Sequence, residues 1–258
     1  MDSVFILLKR DLKNSLSKRM LFLLVFMILL QSWFIFGSGS VSNVLANNKL
    51  SFMEIVFSFN FFGSIVALAL TYDCISQERE NKVLDIILTS SISKKDVILS
   101  KIMNCVILSM IFALLYVTAM FLEYIMLTKN LSISMLCYRY FIPIGVFLSI
   151  FSIMGLMISI IVRSSREAFV ISVIIGGLFM PRIFILVADG IGSALNLSDN
   201  ITSAMEMFSP ALIMNALAGY DGSSKIILAL CFTLVYLLSM FIFSGVFFIK
   251  QDEMNYGE

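Results

Sequence analysis

Histidine is absent from this 258-residue chain, and charged residues make up only 14% of it. The lack of histidine excludes Ser-His-Asp and Cys-His catalysis, His-ligated zinc and haem, and proton relays through imidazole. A soluble domain carries about 25% charged residues, so this chain has too few charges to cover the surface of a soluble globule. Hydrophobic residues make up 60% of the chain, and its mean hydropathy is +0.99. The composition therefore predicts an integral membrane protein.

Other chemical signals are also missing. The net charge of +1 gives no indication of nucleic-acid binding. The four cysteines are dispersed without a CxxC pair, which argues against a metal or redox motif and favours a role as small apolar residues. The sequence contains no GxxxxGK[ST] phosphate-binding loop, so nucleotide-driven work would have to come from a partner. We expect no cofactor in this chain.

Long apolar runs predict six membrane-spanning helices, since one crossing needs about 20 predominantly apolar residues. The fifth run is interrupted by Pro181 and Arg182, which predicts a span with a disrupted outer end. An amphipathic helix over residues 1–19, with Phe5 and Leu8 on its apolar side, is expected in the cytoplasmic membrane interface. The six predicted spans cover residues 20–36, 53–72, 102–124, 140–162, 168–188 and 226–249.

Basic residues predict the orientation of these spans, because Lys and Arg accumulate in cytoplasmic loops. With the N-terminus in the cytoplasm, 13 of the 18 Lys and Arg residues fall on the inner side and 5 on the outer side. We therefore expect one transmembrane domain over residues 1–258 in the plasma membrane, with both termini in the cytoplasm. A cleaved signal peptide within residues 1–46 is the alternative, but a long polar lead with acidic residues disfavours it.

Two segments are longer than the other connections: the cytoplasmic stretch 73–101 and the outer stretch 189–224. Residues 77–101 read QERENKVLDIILTSSISKKDVILSK, which is a charged cluster, an apolar stripe, a polar break and two lysines. This pattern predicts a short amphipathic helix, a turn and the start of the third span. Such a helix can dock into a groove on another protein, although a solvated loop with topology-determining charges fits the same pattern.

The stretch 73–101 resembles the first cytoplasmic loop of ABC-2 type transporter permeases. The resemblance consists of an acidic E-x-E cluster, a leucine-rich segment, a small polar turn and a lysine that opens the next span. The residues that match are Glu78, Glu80, Leu84, Leu88, Thr89-Ser90 and Lys101. The outer motif Phe208-Ser209-Pro210, Gly219 and the six-span layout also resemble this family. Two positions differ from its usual pattern, with Asn81-Lys82 in place of Gly-Thr and Ser90-Ser91 in place of Ser-Pro.

The resemblance implies an all-α, non-catalytic membrane subunit of an ABC exporter, whose cytoplasmic coupling helix docks on a separate ATPase. It also implies two ATPase copies that bind ATP and Mg, and a second permease copy or a sister permease, because six spans form half a pathway. Membrane lipid should surround the chain. The cargo expected is hydrophobic or amphipathic, above all toxin, bacteriocin or antimicrobial peptides. The residues assigned to ATPase coupling are Glu78, Arg79, Glu80, Leu84, Leu88, Lys94 and Lys95.

A second group of residues is assigned to the translocation path or its gate. Charged residues at membrane depth are costly and indicate a function by default. Glu123 lies near the outer end of the third predicted span, where it could act in a gate or pair with Arg139. Phe59 belongs to an aromatic cluster that fits helix packing or lipid contact as well as a substrate wall. The residues assigned to this group are Phe59, Glu123, Pro181, Arg182 and Phe208.

Three other functions stay open on the sequence. An ATPase-independent carrier or channel would transport alone, but the third, fourth and sixth spans have no acidic residue in their middles for an ion path. A membrane-embedded enzyme would need carboxylate or Ser-Lys chemistry, and no such pairing stands out. A peptide-sequestering immunity protein would bind its peptide without turnover.

Overall fold

The computed structural model describes residues 2–15, 18–37, 42, 44, 53–89, 92–195, 209–218 and 223–255. Every regular element within these ranges is a helix, so the expected all-α class is confirmed for them. The α-helices are α1 (Asp2–Ser15), α2 (Lys18–Gly37), α3 (Met53–Ser58), α4 (Ser64–Ala69), α5 (Ser76–Glu80), α6 (Val83–Thr89), α7 (Lys94–Thr128), α8 (Leu131–Met135), α9 (Phe141–Ile161), α10 (Ser165–Leu178), α11 (Pro181–Ala194), α12 (Pro210–Leu217) and α13 (Ser223–Asn255). A π-helical turn, Phe59–Gly63, joins α3 to α4, and a 3-10 turn, Leu136–Tyr140, joins α8 to α9.

Four helical stretches of the described chain are long and apolar enough to cross a membrane. They are Lys18–Gly37, Lys94–Thr128, Leu131–Ile161 and Ile226–Phe248. The second predicted span corresponds to a shorter apolar run, Glu54–Ala69. The fifth corresponds to two helices of 14 residues each, because α10 ends at Leu178 and α11 begins at Pro181. Proline favours the first turn of a helix, where its missing N–H has no partner to lose.

The helices differ strongly in how far they are enclosed by their neighbours. In the most apolar part of Leu131–Ile161, 78% of the residues are buried, against 17% in Ile226–Phe248 and 22% in Lys18–Gly37. Helix α9 is therefore the centre of the bundle, with α4, α7 and α13 packed around it. Helices α2 and α13 direct many apolar side chains outward, as expected where a helix meets lipid.

Small hydroxyl side chains connect the helices across this core. The Thr71 hydroxyl donates to the carbonyl of Ser152 at 2.6 Å, and the Ser109 hydroxyl donates to the Ser152 hydroxyl at 2.9 Å. The Ser64 hydroxyl donates to the carbonyl of Gly176 at 2.7 Å. Such residues let helix backbones approach closely in lipid and satisfy their own polar groups there.

Helix α1 packs against α7 and is not only an interfacial element. Leu7 and Leu8 are buried, as is Asp11, whereas Phe5 is 62% exposed. Of the two residues assigned to the apolar side, Leu8 is therefore buried against the bundle, whereas Phe5 stays exposed. Leu7, Leu8 and Asp11 share a face at the i, i+3 and i+4 spacing of a helix, and this face turns toward the bundle.

Adjacent glycines at the crossing of α4 and α10 provide a matched test of this packing. A Cβ at Gly176 would lie 3.0 Å from the Ile65 Cα and 3.1 Å from the Ile65 backbone nitrogen, whereas a Cβ at Gly177 meets no atom within 4 Å. We expect Gly176→Ala to lower the free energy of unfolding by about 1–3 kcal/mol through overpacking. Gly177→Ala is expected to be neutral or to stabilise by up to about 1 kcal/mol. Unfolding in mixed detergent micelles measures both, and equal effects would contradict this packing.

Candidate functional site

The stretch 73–101 folds as two short helices and the start of a long one. Helix α5 ends at Glu80, Lys82 beyond it is left-handed with φ of 56°, and α6 begins at Val83. The Ser93 side chain accepts a hydrogen bond from the Asp96 amide and so caps the start of α7. The sequence predicted one helix before the turn, so the break between α5 and α6 at Lys82 is a difference.

Glu78 is the centre of a partly buried group of charges at this end of the bundle. Its Oε1 lies 2.6 Å from Nη2 of Arg10 and 2.8 Å from Nζ of Lys101. Asp11 completes the group, 2.7 Å from Arg10 and 3.0 Å from Lys101. The Lys101 and Asp11 side chains are only 5% and 4% exposed. We call Arg10, Asp11, Glu78 and Lys101 the four-charge cluster; it is electrically neutral and joins α1, α5 and α7.

Helix α5 is also fixed to the end of α9. The Ser159 hydroxyl accepts hydrogen bonds from the backbone amides of Ile75 and Ser76, both at 2.9 Å. Arg79 donates to the carbonyls of Ile160 and Val162 at 3.2 and 3.1 Å. The last carbonyls of a helix lack partners within it and attract cations. Arg79 therefore caps α9.

Glu80 holds the start of α10 in a similar way. Its carboxylate accepts hydrogen bonds from the Ser165 hydroxyl at 2.7 Å and from the Ser165 amide at 2.9 Å. These two bonds, with a smaller contribution from the nearby charge of Arg166, lower the pKa of Glu80. A carboxylate at a helix start also interacts favourably with the helix dipole. Three of the five charged residues assigned to the ATPase from sequence, Glu78, Arg79 and Glu80, thus have partners within this chain.

Acid should remove the Glu80 contribution to stability. A glutamate whose pKa is lowered by folding stabilises the native state above its unfolded pKa, about 4.3, and loses this effect as pH falls through the folded value. We therefore expect Glu80→Gln to be less stable than the parent at about pH 7 and to match it near pH 3. Thermal unfolding across this range is the measurement. A difference that persists unchanged at low pH would show that the carboxylate charge is not involved.

Leu84 is not available to a partner in this conformation. Its side chain is 3% exposed and packs with Ile75, Val97 and Ile98 of the same chain. The sequence assigned Leu84 as an anchor in the ATPase, and that part of the hypothesis needs correction. The neighbouring Ile86 is 69% exposed instead, because it lies on the opposite side of α6. The side chain of Leu88 is outside the described residues.

Lys94 and Lys95 both line an apolar cavity of about 350 Å³ between the start of α7 and the end of α13. A further ion pair, Arg19 with Asp73, joins the start of α2 to the beginning of the loop, and the Arg19 guanidinium lies 5.2 Å from the centre of the Tyr72 ring. The starts of α2 and α7 and the ends of α9 and α13 therefore meet at the end of the bundle that carries α5 and α6.

Comparison with known proteins decides the family. The family model of ABC-2 family transporter proteins matches residues 5–253, which is nearly the whole chain. This chain belongs to the ABC-2 transporter family. No curated protein matches it. Permeases of this family are membrane proteins that generally work with an ABC ATPase, so the resemblance drawn from the sequence is confirmed.

The residues assigned to the path of this permease do not form one site. Glu123 accepts a hydrogen bond from the Ser32 hydroxyl of α2 at 2.9 Å, and Arg139 is exposed on the 3-10 turn before α9. The alternative in which Glu123 pairs with Arg139 is not found among the described ion pairs, and the described partner of Glu123 is Ser32 of α2. Phe59 is 1% exposed, with its ring centre 4.8 Å from that of Tyr116. It packs helices together.

The side chains of the remaining residues assigned to the path lie outside the described residues. Pro181 and Arg182 begin α11, but their side chains are outside the described residues. Phe208 is also outside them. Their roles stay predictions.

Sequence reasoning missed Asp11, which completes the four-charge cluster. A signal for it exists, because Asp11 is an acidic residue on the same helical face as Leu7 and Leu8. A charge on the apolar side of an amphipathic helix needs a buried partner. Lys101, at the start of an apolar run, is the matching basic residue.

Proposed function

We propose that this permease exports cargo from the cell with energy from two copies of a separate ABC ATPase, which bind at α5 and α6. One observation carries the proposal: Ile86 is exposed on α6, while the adjoining α5 is bound to α1, α7, α9 and α10 by charged residues. An exposed apolar residue on a firmly held helix is suited to binding a groove. A displacement of α6 would therefore be transmitted through α5 to several spans.

The proposed coupling follows from this arrangement. ATP and Mg, bound by the partner, close the ATPase dimer and move α6. Because Glu78 contacts Lys101 at 2.8 Å and Arg10 at 2.6 Å, movement of α5 would shift the start of α7 together with α1. Glu80 would carry the same movement to α10 through Ser165. The cavity for the cargo would then change from inward to outward facing.

The proposed topology has six spans and places both termini in the cytoplasm. The charge asymmetry of 13 to 5 supports it, and so does the convergence of basic residues around α5. Two permeases, identical or related, would complete a pathway. The apolar, weakly charged composition supports hydrophobic or amphipathic cargo such as toxin, bacteriocin or antimicrobial peptides.

A mild-detergent pull-down of the tagged permease tests the proposal. We expect a protein with a GxxxxGK[ST] motif to co-purify in stoichiometric amount, and amphipathic peptides to raise its ATPase rate. Membrane vesicles that contain the permease alone provide the control. Peptide transport by those vesicles would favour an ATPase-independent carrier and overturn the exporter. Tight peptide binding by a permease with which no ATPase co-purifies would favour a sequestering immunity protein and would overturn the exporter as well.

A further inference from the structure

Lys94 and Lys95 line a cavity whose described lining residues all belong to α7 and α13. It measures about 350 Å³, within the roughly 300–1,000 Å³ typical of ligand sites. Its lining is apolar apart from the two lysines, which both belong to the first turn of α7. The other residues around it are Ile98, Leu99, Phe241, Ile242, Gly245 and Val246.

Gly245 accounts for the space on the α13 side of this cavity. A Cβ built at this glycine meets no heavy atom within 4 Å, so the helix surface is open there. Beside it, Ile242 and Val246 are 60% and 56% exposed, and Leu99 of α7 is 38% exposed. The cavity is thus a slot between two helices that opens onto an outward apolar surface.

The combination of an apolar slot and two lysines whose stems line it matches an amphiphile with a negative headgroup. Basic pockets between transmembrane helices on the cytoplasmic side bind anionic lipid headgroups. Lysine stems can lie along apolar surface while their charged ends reach the headgroup level. A peptide segment of a partner is less suited, because the slot opens onto the apolar surface that a bilayer would cover.

We propose that this slot binds one anionic phospholipid of the cytoplasmic leaflet. Its acyl chain lies over Gly245 between α7 and α13, and its phosphate is bound by Lys94 and Lys95. The proposal rests on the cytoplasmic placement of this end of the bundle. It adds a lipid partner at the start of α7, about two helical turns from Lys101, and gives the two lysines a role separate from ATPase contact.

Lipid binding to the purified full-length permease in detergent tests the headgroup part. The probes are phosphatidylglycerol and, for comparison, zwitterionic phosphatidylcholine, with bound lipid counted by native mass spectrometry. We expect Lys94→Gln with Lys95→Gln to weaken phosphatidylglycerol binding about 30-fold, since each lysine near an anionic headgroup contributes about fivefold. The matched control is Lys9→Gln with Lys13→Gln, two exposed lysines of α1, which should bind as the parent does.

A second variant tests the acyl-chain part without changing charge. Gly245→Leu fills the slot, and Gly177→Leu places the same side chain at another helical glycine with open space around it. We expect only Gly245→Leu to displace the lipid. This variant also keeps the test decisive if the lysine variant does not fold.

Three results would overturn the proposal. They are equal binding of the two lipids, parent-like binding by the lysine variant, and parent-like binding by Gly245→Leu. Because these assays use the permease without an ATPase, failure to find an ATPase would refute the exporter and leave the lipid result standing.

Discussion

Replacing Lys101 with methionine is expected to lower the free energy of unfolding of the permease by about 3–5 kcal/mol. Lys101 is 5% exposed and contacts both Asp11 and Glu78. Removing it leaves two carboxylates and one cation in a buried site, and an uncompensated buried charge is strongly destabilising. Unfolding by sodium dodecyl sulfate in mixed micelles measures the loss. The control is Lys13→Met, an exposed lysine of α1, which should change stability by less than about 0.5 kcal/mol.

A compensating change separates the charge effect from the loss of a long side chain. Adding Asp11→Asn to Lys101→Met restores neutrality, because Arg10 and Glu78 remain as a pair at 2.6 Å. We expect the double variant to recover a large part of the lost stability. A double variant no more stable than Lys101→Met alone would mean that packing around Lys101, rather than charge balance, holds α1, α5 and α7 together.

Replacing Ile86 with alanine is expected to weaken binding of the ATPase by about 30-fold or more. Truncating an apolar anchor at the centre of an interface costs about 2 kcal/mol or more, which corresponds to that change in affinity. Folding should be unaffected, because Ile86 is 69% exposed. The measurements are co-purification and the ATPase rate stimulated by the permease.

The matched control for Ile86 lies at the same end of the bundle. Ile6 of α1 is also 69% exposed, so Ile6→Ala removes an equally accessible side chain from another helix. Unchanged ATPase binding by Ile86→Ala, or an equal loss with Ile6→Ala, would refute docking on α6. Leu84→Asp cannot serve this purpose, because it places a charge at a position that is 3% exposed and would destabilise the fold.

Composition and local pattern alone predicted the helical membrane class and the interruption before Pro181, and the family entered as a resemblance that the family model confirmed. These features depend on residues close together in the chain: apolar runs long enough to cross a bilayer, and a proline at the start of a new helix. The E-x-E cluster was also recognisable, since its residues are adjacent in sequence. The residues that each acidic side chain contacts were not recognisable from the sequence.

Only the tertiary structure decided the partners and the accessible faces. Arg10 and Glu78 are 68 positions apart in the chain, and Ser32 and Glu123 are 91 apart. Side chains so distant in sequence come into contact only when the helices pack together. The local periodicity of the sequence does not predict such contacts. The same packing buried Leu84 and exposed Ile86, two residues away on α6. An amphipathic pattern shows that a helix has an apolar side, but the surrounding helices decide which apolar residues stay available to a partner.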